Sequence, residues 1–167
     1  MEPLRLRILQ GLKSLLEEIT IANGYEHDLE GAVFIGRGLF GDKDPIPMVS
    51  ILEQAIQPGV IAESFNNPIQ KVSLNMVLQG FVLDEKGKGN NTAPAYRLMA
   101  DVRRRIAQEM EDQRRRNPRD FFGVIKVVSE IKMSAGVVRP ADEISYRAFF
   151  WLDLSIEYLD NACDPYN

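Results

Sequence analysis

A chain of 167 residues, 45% hydrophobic and 26% charged, has the length of one domain and enough apolar residues to bury a core without staples. Its net charge of −4 gives no general attraction to nucleic acid or to an anionic membrane, which weighs against a polyanion-coating protein. The single cysteine, Cys163, cannot make an internal disulfide, residues 1–7 lack the apolar run of a signal peptide, and no stretch is long enough to span a bilayer. Those features predict a protein made and used in a cytoplasm, or one that leaves by a route other than secretion.

The first element sets Leu4, Ile8, Leu12, Leu15, Leu16 and Ile19 on one stripe with Arg5, Lys13, Glu17 and Glu18 off it, the pattern of an amphipathic helix lying against a sheet. Asn23-Gly24 supplies its stop, because both residues tolerate the left-handed conformation that closes a helix. Ala32 to Arg37 reads as a short strand, Gly36 to Pro45 as a loop rich in glycine and aspartate, and Met48 to Glu53 as a second strand. Gln54 to Pro68 is a long connection with its own apolar residues, Ile56, Val60, Ile61 and Phe65, which predicts a projecting hairpin or a loop that docks.

From Lys71 to Leu83 the residues alternate, with Val72, Leu74, Met76, Leu78 and Val82 on one face and Lys71, Ser73, Asn75 and Gln79 on the other. The outer face turns apolar at one end through Val77, Phe81 and Leu83. Asp84 to Thr92 is a polar, glycine-rich loop ending in the N-cap candidates Asn91 and Thr92, with Pro94 just inside a second helix. That helix has a buried stripe of Ala95, Met99, Val102, Ile106 and Met110, places Asp101, Arg105 and Glu109 as paired charges on its solvent side, and ends near Asn117-Pro118. Val124 to Ile131 reads as a strand and Lys132 to Glu143 as a long hairpin arm.

The closing strand, Ser145 to Asp160, is the longest alternating run. Tyr146, Ala148, Phe150, Leu152, Leu154, Ile156 and Tyr158 form a core face, opposite a polar face of Ser145, Arg147, Asp153, Ser155 and Glu157. Phe149 and Trp151 interrupt that polar face, and two large rings on a wet side predict a contact surface, which Phe81 extends if the two long strands are neighbours. The order α-β-β-β-α-β-β predicts an α+β fold: a mainly antiparallel sheet with two helices packed on one face, in a single domain spanning 1–167.

No residue pattern carries a reaction. Gly36-Arg37-Gly38-Leu39-Phe40-Gly41 matches a dinucleotide-binding pattern, but Asp42 to Pro47 follows where that fingerprint needs a helix, and its acids would repel phosphate, so the loop reads as a turn. The only histidine, His27, stands among Glu26, Asp28 and Glu30 without metal-ligand spacing and reads as a solvated loop. Cys163 lies in an acidic tail, which argues against a nucleophilic role, and the paired carboxylates lie in polar loops. No cofactor, metal or catalytic residue is assigned. The arginine runs Arg103 to Arg105 and Arg114, Arg115 and Arg116 admit two readings. One is a solvated face complementing the helix's negative end at about 0.3 to 1 kcal/mol per charge, and the other is a patch that meets carboxylates on a neighbouring subunit or a phosphate backbone, of which the phosphate version is the weaker.

Several of these residues carry a resemblance. The Leu-Arg-Leu-Arg start, Ile21-Ala22-Asn23-Gly24-Tyr25, Asp28-Leu29, Val33-Phe34, Gly36-Arg37, Phe40-Gly41, Asp44-Pro45-Ile46-Pro47 and Ser50-Ile51-Leu52-Glu53 together resemble the tail terminator (tail completion, minor tail) proteins of long-tailed bacteriophages and prophages. The likeness is densest up to Glu53; beyond it only the element order and closing strand are similar. It implies a structural virion protein without enzymatic activity, a homohexameric ring on the head-proximal end of the tail, assembled in the host cytoplasm. Such a ring meets the tail tube protein on one side and the head-tail connector or neck protein on the other, and genomic DNA passes its lumen without specific binding. The expected interface residues are Phe65, Phe81, Phe149, Trp151, Arg114, Arg115 and Arg116, with the loops Gln54 to Pro68, Asp84 to Thr92 and Lys132 to Glu143 facing other proteins. Two alternatives stay open: another phage neck or tail component of the same fold, and a small-ligand or nucleotide-binding protein using the Gly36 to Gly41 loop.

Overall fold

The computed structural model describes residues 2–54, 68–84, 91–116, 120–125, 127–140 and 147–166. Its elements run α1 (Leu4–Glu17), a short 3-10 turn (Ile21–Asn23), β1 (Val33–Ile35), β2 (Met48–Glu53), β3 (Ile69–Leu83), α2 (Ala93–Arg114), β4 (Asp120–Phe121), β5 (Val124–Ile125), β6 (Val128–Met133), β7 (Val137–Arg139) and β8 (Arg147–Asn161). The fold is α+β. One sheet has the order β1-β2-β3-β8-β6, with β7 also paired to β8, and β4 and β5 form a separate small hairpin.

The centre of the sheet is the antiparallel ribbon of β3 and β8, whose register runs from Ile69 opposite Asn161 to Leu83 opposite Arg147. Residues directly opposite each other point to the same face, so the two alternating patterns lock together. Leu74, Met76, Leu78 and Val82 of β3 and Ala148, Phe150, Leu152, Leu154, Ile156 and Tyr158 of β8 are buried, and they share one core with the apolar stripes of both helices. β2 pairs antiparallel with β3, whereas β1 pairs parallel with β2, a mixed edge on an otherwise antiparallel sheet.

The helices follow the predicted stripes with additions. Leu9 joins the buried residues of α1; in α2, Leu98 is buried while Met110 is only half-buried. The stop at Asn23-Gly24 belongs to a different element. α1 ends at Glu17, where the Glu18 N–H reaches the Leu15 carbonyl and the Ile19 N–H that of Leu16, and Gly24 at φ 83° closes the 3-10 turn instead. The Thr92 side chain makes no capping hydrogen bond to α2, and the chain enters the helix through Pro94 in its first turn.

Two predicted elements differ. The apolar run Val124–Ile131 is not one strand: β5 stops at Ile125 and β6 starts at Val128. The break follows from the β4-β5 hairpin, whose turn residues Phe122 and Gly123 both take positive φ (55° and 73°), the combination two-residue hairpins favour. Lys132 to Glu143 does not project as an arm as far as Arg139. Lys132 and Met133 finish β6, Gly136 at φ 80° jogs the backbone, and β7 rejoins β8 opposite Phe149 to Trp151. Residues 141–146, and with them Ser145 and Tyr146, lie outside the described residues, as does Asn117-Pro118.

Candidate functional site

The face of the sheet away from the helices is built from the odd positions of β3 and β8. Phe81 stands opposite Phe149, Gln79 opposite Trp151 and Val77 opposite Asp153; Leu52 of β2 flanks Val77, and Val137 of β7 flanks Trp151. The two long strands are therefore neighbours, and Phe81 extends the ring pair as the alternation predicts.

One end of this face is covered. The loop between β1 and β2 folds back over it: Ser50 Oγ donates to the Arg37 carbonyl at 2.6 Å, and an Arg147 guanidinium nitrogen donates to the Gly41 carbonyl at 2.9 Å. Arg147, expected on the wet side, is 5% exposed for that reason, and Ser50 and Met48 are buried beside it. The loop is cross-braced from within. Asp44 accepts from the Gly41 N–H at 2.6 Å and pairs with Arg37 at 2.5 Å. The Gly41 N–H, and behind it the Arg37 guanidinium, hold the Asp44 carboxyl below its ordinary range.

Across the face runs a row of rings. Centroid separations are 6.3 Å for Phe34 and Phe40, 5.1 Å for Phe40 and Phe81, 6.1 Å for Phe81 and Phe149, and 5.3 Å for Phe149 and Trp151, all tilted. The Arg37 guanidinium caps the covered end, 4.7 Å from the Phe34 centroid and 5.4 Å from that of Phe40. The four phenylalanines are half-buried. Trp151, at the open end, is 43% exposed, and it lines a shallow groove of about 640 Å³ with Leu52, Val77, Gly136, Val137 and Asp153.

Beyond the groove the face becomes polar. Lys71 and Lys132 converge on Glu157, with Lys132 at 3.1 Å and also 3.0 Å from Glu130. Hydrogen bonds from Lys71 and then Lys132 hold the Glu157 carboxyl below its ordinary range, and bonds to Glu130 and Glu157 push the Lys132 ammonium up.

The remaining candidates lie elsewhere. No helix opens on Gly36 to Gly41, and the amide that would have faced a phosphate already holds Asp44. His27 is not a solvated side chain: it is 12% exposed, with Nδ1 2.8 Å from Asp101 Oδ2. Asp101, placed by its spacing on the solvent side of α2, is 7% exposed and also accepts from the N–H groups of Glu26 and His27. A carboxylate that collects these donors fastens the 24–31 loop to the helix.

Arg105 pairs with Glu18 at 2.7 Å and Glu109 at 3.6 Å, and Arg104 donates to the Gly24 carbonyl and lies 5.0 Å from the Tyr25 ring. That run holds the protomer together. Arg114 and Arg115, with side chains 76% and 78% exposed, share the single carboxylate of Glu111, and Arg116 is exposed beside them. Phe65 lies outside the described residues, with 55–67 and 85–90.

The sheet thus gathers Phe81, Phe149 and Trp151 into one surface and leaves the Arg114 to Arg116 run on α2, outside it. Leu52, Val137, Phe34, Phe40 and Arg37 belong to the same surface but carried no individual signal, because their position depends on strand order and on the fold-back of a loop. Among the described residues no cluster of histidine, cysteine and carboxylate groups has a metal-holding arrangement. No helix of the described residues is long and apolar enough to cross a membrane. No protein-family model matches this chain, and no curated protein matches its sequence.

Proposed function

We propose that this protein is a structural subunit that assembles with copies of itself through the outer face of its sheet, as a ring capping the head-proximal end of a phage tail tube and joining it to the head connector. The observation that carries the reading is the open end of the ring row: a 43% exposed tryptophan beside a 51% exposed Val137, on a stiff sheet rather than a loop. Monomeric proteins seldom leave such a patch on a rigid element without a partner for it. Burying Trp151 and its neighbours against another protein would give the aromatic anchor that stable interfaces favour. The tail-terminator assignment rests on the resemblance of the segment up to Glu53, and no catalytic role is proposed.

The test is mass and fluorescence together, since Trp151 is the only tryptophan in the chain. Light scattering and negative stain of the wild-type protein are expected to give a ring-sized species, with Trp151 emission blue-shifted relative to the dilute monomer. Trp151→Glu is expected to leave a folded monomer. A Trp151→Glu protein that assembles like wild type excludes this face as the contact. The second reading, a nucleotide-binding protein using the Gly36 to Gly41 loop, predicts a monomer whose melting temperature rises with added nucleotide. Asp44 on the Gly41 amide argues against it.

A further inference from the structure

The ring row has two ends that differ in one respect. At the covered end the chain's own Arg37 guanidinium lies over Phe34 and Phe40. At the open end Trp151, the aromatic with the strongest attraction for a cation, has no guanidinium over it among the described residues.

One carboxylate stands at the open end. Asp153 is two residues along β8 on the same face and exposed, with Oδ1 accepting from Gln54 Nε2 at 2.9 Å. Arg139 lies opposite Phe149, one same-face position further along. An indole face beside a carboxylate fits a guanidinium, which stacks on the ring and forks onto the acid.

We propose that the open end is an arginine site and that its occupant is the Arg114 to Arg116 run of a second copy. This inference rests on the assembly reading above and specifies its contact. Three consecutive arginines stand at the end of α2, on the helix layer, and Arg114 and Arg115 share one carboxylate. Because the arginines and the groove lie on different layers of the protomer, the contact is heterologous. Each copy gives its arginines to one neighbour and its Trp151 groove to the other, the arrangement that closes into a ring.

Complementation tests the proposal. Arg115→Glu/Arg116→Glu keeps the groove and reverses the charge of two of the three arginines; Trp151→Glu/Asp153→Lys keeps the arginines and loses the groove. All four positions are exposed, and circular dichroism of each variant checks that it folds. Each alone is expected to be monomeric, and an equal mixture is expected to give a species of twice the monomer mass, no larger, with the Trp151 emission of the first variant blue-shifted.

An Arg115→Glu/Arg116→Glu protein that assembles like wild type overturns the arginine site while leaving the Trp151 face in place as the interface. A mixture that stays monomeric also overturns it, in favour of a contact between two like faces. If Trp151→Glu by itself assembles like wild type, the assembly face is wrong and the arginine site falls with it.

Discussion

Two glycines and one aspartate carry more of this fold than their size implies. A Cβ on Gly11 would stand 2.2 Å from the Phe122 carbonyl oxygen, because α1 packs directly on the backbone of the β4-β5 turn. Alanine is the better helix former by about 1 kcal/mol, so Gly11→Ala tests which effect wins. We expect overpacking to dominate, with a loss of roughly 1 to 3 kcal/mol in a chemical melt, and a stabilised variant would show that the approach is looser. Gly80 faces Phe150 across the ribbon, where a Cβ would lie 2.0 Å from the ring, so the glycine makes room for the largest fully buried side chain. Asp101→Ala removes the acceptor of two backbone N–H groups and of His27, at a cost of roughly 1 to 3 kcal/mol for each donor left unpaired. Hydrogen exchange would then accelerate first at Glu26 and His27, ahead of global opening.

At the scale of elements, the closing strand and the β1-β2 loop make separate predictions. Leu154 is 1% exposed on the core face of β8, so Leu154→Ala is expected to cost roughly 2 to 5 kcal/mol, and an unchanged melt would mean the strand faces are reversed. The β1-β2 loop is held by Asp44, whose folded pKa lies below the ordinary aspartate value. A depressed carboxylate contributes stability above its unfolded pKa and loses it as pH falls through the folded one. The Gly41 amide should therefore lose protection on acidification below about pH 4, and in Asp44→Asn that dependence should be absent. Lys132 acts at the other extreme. Its raised pKa gives a contribution fully present below the ordinary lysine range and lost as pH rises through the folded value, so the β6 edge is expected to loosen only in strong alkali.

For the whole molecule, one face of the sheet is used to fold and the other is divided. The helices cover the first face; the β1-β2 loop covers one end of the second; a lysine-glutamate cluster solvates the far end; and the Trp151 groove lies between. If assembly uses that groove, dilution should both dissociate the particle and red-shift Trp151 emission, with the two transitions coinciding. Noncoincident transitions would place the contact elsewhere.

Much of this was legible in the residue pattern. Period-two alternation fixes which side chains of β3 and β8 enter the core, because a strand turns its side chains to opposite faces whatever it pairs with, and the helical stripes follow from 3.6 residues per turn. The same alternation exposed Phe149 and Trp151 as rings on the polar side. Only the tertiary structure decided what covers that side. Arg147 and Asp101 look solvated by spacing but are buried, since their partners, Gly41 and the 26–27 backbone, arrive from distant stretches of chain. The break between β5 and β6 was hidden because Phe122 is not a residue whose identity announces a positive φ. Local periodicity sets the direction a side chain points, and long-range packing sets what it meets.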